Sequence, residues 1–250
     1  MRLFGLIGYP LGHSFSASYF NDKFEKEGID AEYRNFPLEK ILDFEALLER
    51  EPGLRGLNVT VPYKQEIIPY LDSLSATAEA IQAVNTISFR RSGGRMKLEG
   101  DNTDVIGFRT SLEKHLRPQH KSALVLGTGG SSKAVLYALR QLGLMYYQVS
   151  RTPGPEQISY EALDPGMLSA NTLIINTTPL GMFPNVLSCP DLPFEALTPD
   201  HLLFDLVYNP AKTEFLSRGE QQGAVGINGY EMLLLQANAS WDIWNSAYQK

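Results

Sequence analysis

The sequence of 250 residues contains a single cysteine, Cys189, so no disulfide can form within the chain. It contains no apolar run long enough to cross a membrane. The net charge of −6 provides no excess of basic residues for nucleic acid or an anionic membrane surface. The four histidines lack metal-ligand spacing, so we predict no metal site. These absences are typical of a soluble protein of the reducing cytoplasm.

Strand-like and helix-like segments alternate along the chain, which predicts an α/β fold with mostly parallel sheets. One hairpin is expected around Ser92-Gly93-Gly94. The expected strands cover 2–7, 31–36, 54–61, 85–90, 95–99, 123–126, 145–149, 172–176, 201–206 and 224–227. The expected helices cover 17–27, 38–50, 75–82, 104 to about 117, a segment from 134, 212–222 and 231–247.

A glycine-rich turn between an apolar strand and a helix is typical of a dinucleotide-binding βαβ unit. The strand 123–126 leads into Gly127, Gly129 and Gly130. Glycines allow a tight turn close to a pyrophosphate, and the helix N-terminus offers free N–H groups. Ser132 occupies the third glycine position of the fingerprint, so the motif is imperfect. A plain tight turn is the alternative interpretation.

The end of the next strand indicates which dinucleotide binds. NAD-binding units carry an acidic residue there, which binds the ribose hydroxyls. Here Arg151 takes that place, and a guanidinium suits a 2′-phosphate. We therefore predict NADP(H) rather than NAD(H), with an ordinary surface charge as the alternative.

Three polar groups outside this unit are candidates for the chemistry. Asn58 and Thr60 share one face of a strand near its carboxyl end, and Lys64 follows as a candidate acid or base. Asp104 begins a helix, where a carboxylate is also favoured simply by the helix dipole. A solvated lysine at a helix start is the alternative for Lys64.

Two serines form the third group. Ser14 and Ser16 precede a helix, where paired hydroxyls and free N–H groups suit a carboxylate. Simple helix capping remains the alternative interpretation.

Seven motifs in order resemble those of the shikimate dehydrogenase family over essentially the whole chain. Their joint occurrence is far more specific than any one of them. The motifs are Gly8-x-Pro10-x-x-His13-Ser14-x-Ser16, Asn58-Val-Thr-Val-Pro-x-Lys64, Ala83-Val-Asn85-Thr86, Gly100-Asp-Asn-Thr-Asp104-x-x-Gly107, Gly127-x-Gly-Gly130, Asn176-Thr-Thr-Pro-Leu-Gly181-Met182 and Met232-Leu-x-x-Gln236-Ala237.

The resemblance implies reversible, NADPH-dependent reduction of 3-dehydroshikimate to shikimate in aromatic amino-acid (chorismate) biosynthesis. It implies two α/β domains that face a cleft. Residues 1–103 plus 229–250 would form a mixed-sheet substrate-binding domain, and residues 104–228 a Rossmann-type NADP-binding domain. The expected partner is the small-molecule substrate, and we expect a monomer or a homodimer.

The resemblance also implies roles for individual residues. Lys64 and Asp104 would form the catalytic pair, with Lys64 donating the proton as hydride reaches the carbonyl. The implied substrate-binding residues are Ser14 and Ser16 at the carboxylate, Asn58, Thr60, Asn85 and Gln236 at ring hydroxyls, and Tyr208 near the carboxylate end. The implied cofactor-binding residues are Gly127, Thr128, Gly129, Gly130, Ser131, Arg151, Thr152, Leu206 and Gly229.

Departures from the family pattern leave two rival functions open. After Arg151 no lysine or arginine occurs until Lys212, which weakens the expected preference for NADP. An NAD-using quinate/shikimate dehydrogenase is therefore the nearest rival. A non-catalytic nucleotide or metabolite sensor is the other, although such a protein has no need of Lys64 and Asp104.

Overall fold

The computed structural model describes residues 1–12, 15–92 and 95–248. Residue contacts divide the chain into two compact units, Met1–Thr103 with Ala237–Lys250 and Asp104–Gln236. The return to the first unit lies within the last helix, at Ala237, whereas the resemblance implies a return at residue 229. Each unit combines a β-sheet with helices, so the predicted α/β class is confirmed. In the described part of the chain no helix is long and apolar enough to span a bilayer.

The first unit is built on a mixed sheet with helices packed against it. Its strands are β1 (Arg2–Gly8), β2 (Ala31–Pro37), β3 (Leu54–Val59), β4 (Ser73–Leu74), β5 (Thr86–Ser92) and β6 (Arg95–Asp101). Its helices are α1 (Phe15–Lys26), α2 (Phe44–Arg50) and α3 (Ala76–Ile81). The last helix of the chain (Tyr230–Tyr248) belongs to this unit from Ala237 onward.

The strand order of this sheet is β2-β1-β3-β5-β6-β4. β1 runs parallel to β2 and β3, whereas β5 runs antiparallel to β3 and β6. The predicted hairpin is confirmed by the β5–β6 register, which runs from Thr86 opposite Asp101 to Ser92 opposite Arg95. β3 therefore brings its carboxyl end beside the amino end of β5.

β1 is buried on both faces because apolar residues occupy both sets of alternating positions. Leu3 and Ile7 pack into one cluster, whereas Phe4 and Leu6 belong to a second, aromatic cluster. In the second cluster the Phe4 ring stacks on Trp244 at a centroid separation of 4.9 Å. The two faces of the sheet thus pack two separate apolar cores.

The second unit is built on an entirely parallel sheet. Its strands are β7 (Ser122–Leu126), β8 (Met145–Ser150), β9 (Gln157–Ser159), β10 (Leu173–Asn176), β11 (Leu202–Asp205) and β12 (Val225–Ile227). Its helices are α4 (Asp104–Glu113), α5 (Gly130–Gln141), α6 (Pro165–Ala170), α7 (Glu214–Gln221) and the first part of α8 (Tyr230–Tyr248).

The order β12-β11-β10-β7-β8-β9 is that of a doubly wound sheet. Strand order reverses between β7 and β10, so the carboxyl ends of these two strands mark the topological switch point. The core strands are continuous apolar runs, as expected where helices cover both faces of a parallel sheet. Ligands of such sheets bind outside the strand carboxyl ends.

A buried carboxyl group ties two of these strand ends together. Asp205 is fully buried at the end of β11 and accepts hydrogen bonds from Asn176 Nδ2 at 3.0 Å, the Val207 N–H at 3.0 Å and the Thr213 hydroxyl at 2.6 Å. Thr213 also caps α7 by accepting from the Leu216 N–H. Burial raises the pKa of Asp205 to about 6, although the three donors oppose this rise.

Some predicted boundaries are wrong for local reasons. The helix predicted over 38–50 is α-helical only from Phe44, after a 3-10 turn at Ile41–Asp43. The helix from Asp104 ends at Glu113 rather than near 117. The strand predicted over 54–61 ends at Val59, before Pro62, which lacks an N–H for further pairing. The sequence did not indicate β9 and α6, which are too short to show periodicity.

The raised pKa of Asp205 makes the stability of the second unit depend on pH. Because its pKa is raised above the unfolded value near 3.8, Asp205 binds its proton more tightly in the folded chain. Its contribution is fully present below about pH 4 and is lost as pH rises through about 6, by at most about 3 kcal/mol. Asp205→Asn, which imitates the protonated group, should remove this component.

The measurement is amide hydrogen exchange of β10 and β11 between pH 4 and 7 in the wild type and Asp205→Asn. We expect the difference in opening free energy between the two proteins to shift in favour of the variant as pH rises. Parallel profiles would contradict the assignment of a raised pKa to Asp205.

Candidate functional site

Asn58 is the centre of a buried polar network in the first unit. It lies near the carboxyl end of β3, and only 6% of it is exposed. Its Nδ2 donates to the Asn85 carbonyl at 3.2 Å, Thr86 Oγ1 at 3.2 Å and Ser240 Oγ at 3.0 Å. Its Oδ1 accepts from the Tyr33 hydroxyl at 2.9 Å. Asn58 therefore connects β2, β3, β5 and α8.

Asn85, the second predicted asparagine, continues the same network. Its Oδ1 accepts from the Thr103 N–H at 2.7 Å, and its Nδ2 lies 3.0 Å from Thr103 Oγ1. The hydroxyls of Thr86, Thr103 and Ser240 lie within 2.8–3.3 Å of one another. The structure thus brings Asn58 and Asn85 together through shared hydroxyl groups.

Ser16 joins this network through Tyr33. Burial raises the pKa of Tyr33, and a hydrogen bond from the Ser16 hydroxyl acts against this rise. Tyr33 therefore bridges a predicted carboxylate-binding serine to a predicted hydroxyl-binding asparagine. Ser14, predicted beside Ser16, lies outside the described residues.

Lys64 lies in a run of turns between β3 and a 3-10 helix at Ile68–Tyr70. Lys64 is therefore not at an α-helix start, because turns follow the strand here. An ordinary solvated lysine stays the alternative to a catalytic one. The Lys64 carbonyl accepts from the Val84 N–H at 2.7 Å, which holds this turn against the segment that leads to Asn85. Both Lys64 and Thr60 are partly exposed.

Asp104 and Gln236 lie on two closely packed helices of the second unit. Asp104 is buried in the first turn of α4, and Gly107 follows one turn later. A Cβ at Gly107 would lie 2.6 Å from the Met232 carbonyl oxygen and 3.0 Å from Gln236 Cβ. Glycine at this position therefore allows α4 to approach the segment of α8 that carries Gln236.

The glycine-rich turn has a geometry that fits a dinucleotide pyrophosphate. Gly127 has φ of +108°, and a Cβ there would collide with the side chains of Thr177 and Thr178. A Cβ at Gly129 would meet no protein atom within 4 Å, so this glycine leaves the space before α5 open. α5 begins at Gly130, and the positive dipole end of a helix N-terminus favours an anion. Thr128 is exposed in the same turn, and Ser131 is partly exposed in the first turn of α5.

Arg151 follows β8 directly and is exposed together with Thr152. Burial raises the pKa of Tyr160, and the positive charge of Arg151 acts against this rise. Arg151 therefore lies at the carboxyl end of the strand adjacent to β7, where the ribose end of a dinucleotide is bound in such sheets.

Leu206 and Gly229, both predicted beside the nicotinamide, are in contact. A Cβ at Gly229 would lie 2.2 Å from the Leu206 carbonyl oxygen, so only glycine permits this approach. The Gly229 N–H also donates to the Val207 carbonyl at 3.2 Å. Tyr208, two residues after Leu206, is partly exposed, and burial raises the pKa of its hydroxyl.

Sequence reasoning did not identify Tyr33, Thr86 or Ser240 as network residues. Ser240 is fully buried in a helix segment with Ala237, Trp241 and Trp244. A serine among apolar residues of a core-facing helix is the signal that could have indicated it, because a buried hydroxyl requires a partner.

Comparisons with known proteins identify the family of this chain. A family model described as the shikimate dehydrogenase substrate binding domain matches residues 6–87. The chain is 38% identical over 269 residues to the shikimate dehydrogenase (NADP(+)) of Halothermothrix orenii, with 97% of this chain and 90% of that protein covered.

Two crystal structures of shikimate 5-dehydrogenases have the same fold. The Thermus thermophilus enzyme in complex with NADP(H) and shikimate matches with a TM-score of 0.85 and 29% identity, covering 98% of this chain and 94% of that chain. The Listeria monocytogenes enzyme in complex with shikimate and NAD matches with a TM-score of 0.83 and 28% identity, covering 98% and 92%. Because its identity to a curated relative reaches 38% over nearly its whole length, this chain belongs to the shikimate dehydrogenase family.

Proposed function

We propose that this chain catalyses the reversible, NADPH-dependent reduction of 3-dehydroshikimate to shikimate in aromatic amino-acid biosynthesis. The observation that carries the proposal is the match over 97% of the chain to a relative named for shikimate and NADP(+). The glycine-rich turn and the polar network each supply groups suited to one of the two ligands. We place the activity in the cytoplasm, in a monomer or a homodimer.

The polar network of the first unit suits a substrate with several hydroxyl groups and a carboxylate. Asn58 and Asn85 in the network, and Thr60 two residues after Asn58, offer amide and hydroxyl groups, which bind sugar-like hydroxyls. Ser14 and Ser16 would bind the carboxylate, since hydroxyls donate hydrogen bonds to an anion without adding charge. Tyr208 and Gln236 are proposed as further substrate contacts, from the resemblance.

For the proton, we propose Lys64 in the first unit and Asp104 in the second, which the resemblance pairs. When bound, the cofactor supplies or accepts the hydride. Lys64 donates a proton to the carbonyl oxygen in the direction of reduction and takes it back from the hydroxyl in the reverse direction. Asp104 takes part in the same proton transfer.

For the cofactor, we propose that the 127–131 turn binds the pyrophosphate and that Arg151, with Thr152, binds the 2′-phosphate. Helix N-terminal N–H groups and a guanidinium are the protein groups best suited to these two anions. Leu206 and Gly229 would lie against the nicotinamide. A sensor that binds the same ligands without turnover, and an NAD-using quinate/shikimate dehydrogenase, are the outcomes that would replace this proposal.

A single spectrophotometric assay tests the function. The purified chain is mixed with shikimate and NADP⁺ and the absorbance of NADPH is followed, with NAD⁺ and quinate substituted in separate reactions. We expect turnover with shikimate and NADP⁺ and weaker turnover in every other combination. Faster turnover with NAD⁺ and quinate would favour the rival enzyme, and binding of both ligands without turnover in any combination would favour the sensor.

Lys64→Ala tests the proton-transfer role. Removing a general acid or base slows turnover by about 10²- to 10⁴-fold, so kcat should fall within this range while the Kd for shikimate changes by less than about threefold. Lys64→Arg should also lose turnover, because arginine keeps the charge but does not give up its proton.

Lys97→Ala is the matched control, since Lys97 is an exposed lysine on β6 of the same unit. It should leave both kcat and the shikimate Kd unchanged. A loss of shikimate affinity equal to the loss of kcat in Lys64→Ala would instead make Lys64 a binding residue.

Arg151→Ala tests the choice of cofactor. Without the guanidinium, KM for NADP⁺ should rise at least about tenfold, as expected for a lost charge-assisted contact to phosphate, while KM for NAD⁺ stays nearly constant. Arg140→Ala removes an exposed arginine from the last turn of α5 and should change neither value. An unchanged NADP⁺/NAD⁺ ratio in Arg151→Ala would refute the assigned role.

A further inference from the structure

The side chain of Gln148 lies between the two segments proposed to hold the dinucleotide. It belongs to β8, and its Nε2 donates to the Gly127 carbonyl at 3.0 Å and to Ser132 Oγ at 3.2 Å. Ser132 in turn donates to the Gly129 carbonyl at 2.7 Å and is buried. Gln148 and Ser132 together therefore hold the carbonyls of both Gly127 and Gly129.

The other end of the same amide reaches the segment that follows Arg151. Gln148 Oε1 accepts from Gln157 Nε2 at 3.4 Å, and these two residues are register partners in β8 and β9. Gln157 Oε1 accepts from the Gly154 N–H at 3.0 Å. A continuous chain of hydrogen bonds thus runs from the glycine-rich turn to the backbone three residues after Arg151.

The segment after β8 is also fixed at its beginning. Ser150 Oγ accepts from the Thr152 N–H at 3.2 Å and donates to the Thr152 carbonyl at 3.0 Å. Ser150 therefore holds Thr152 and Gln157 holds Gly154, one on each side of residue 153. Arg151 lies between Ser150 and Thr152, at the start of this held stretch.

Glutamine is the residue type that this position requires. The site needs a donor toward the Gly127 carbonyl and an acceptor toward Gln157, and a primary amide supplies both in one neutral group. A glutamate would lack the donor, and a methionine of similar length would lack both. Because the contacts are neutral and half-buried, their loss should displace the two segments without unfolding the unit.

We propose that Gln148 is a positioning residue for the dinucleotide, which couples the pyrophosphate turn to the segment that binds the 2′-phosphate. The proposal rests on the proposed function only in taking NADP as the ligand. Gln148 would do this without contacting the cofactor itself, through hydrogen bonds to the Gly127 carbonyl and Ser132 on one side and to Gln157 on the other. Loss of this amide should impair the binding of both NADP⁺ and NAD⁺, since both contain the pyrophosphate.

The experiment compares Gln148→Met and Gln157→Met with the wild type. Affinities for NADP⁺ and NAD⁺ are measured directly by calorimetric titration, and kcat and KM are measured with shikimate. Gln148→Met should raise Kd and KM about fivefold or more for both dinucleotides, with kcat within about twofold of the wild type. Gln157→Met disturbs only the distal link and should raise these values for NADP⁺ alone.

Gln141→Met is the matched control, because Gln141 is exposed at the end of α5, away from the turn, and should change no affinity. Unchanged dinucleotide affinity in Gln148→Met would overturn the proposal. A parallel loss of Tm, kcat and shikimate affinity would also overturn it, since that pattern shows a purely structural role. An equal effect of Gln157→Met on both dinucleotides would refute the coupling to the 2′-phosphate segment.

The titrations also separate this inference from the proposed function. If the wild type binds NADP⁺ but does not oxidise shikimate, the function is refuted and the affinities still decide the role of Gln148. If the wild type binds neither dinucleotide, both proposals are refuted.

Discussion

In each unit, polar side chains are buried at the strand ends where ligands bind in α/β sheets, and every such group requires a partner. Asn58 and Asn85 meet this constraint in the first unit, and Asn176 and Asp205 meet it in the second. A buried donor or acceptor left without a partner costs about 1–3 kcal/mol. The strands, helices and loops that provide the partners are therefore held in one arrangement around Asn58 and Asp205.

The two networks differ in charge, and this difference has physical consequences. The network around Asn58 consists of amides and hydroxyls together with Tyr33, whose raised pKa keeps it neutral. The network around Asp205 contains a carboxyl group whose pKa is raised to about 6 by burial. The hydrogen bonds of the first network therefore keep their donors and acceptors across the neutral pH range. Those of the second change with protonation of Asp205, because a protonated carboxyl is also a donor.

Elements with strong local signals could be predicted from the sequence, and contacts between distant residues could not. The strand β1, the hairpin β5–β6 and the core face of α8 with Trp241 and Trp244 all follow from apolar periodicity and turn residues. The partners of Asn58 include Ser240, which is 182 residues away, and no local pattern relates them. The turns around Lys64 carry no local signal either, because the charged residues there are equally common in surface helices.

The missing third glycine of the dinucleotide fingerprint shows why a sequence motif alone does not define the structure of a binding site. That glycine normally allows the helix to pack closely against its strand. Ser132 occupies the position fully buried, yet its hydroxyl bonds back to Gly129 within the first turn of α5 and accepts from Gln148 on β8. The helix and the strand are thus joined here by a hydrogen bond rather than by close carbon packing. Ser132 departs from the motif, and its partner Gln148 belongs to no motif. The pair is therefore recognised only from the hydrogen bond between the two side chains.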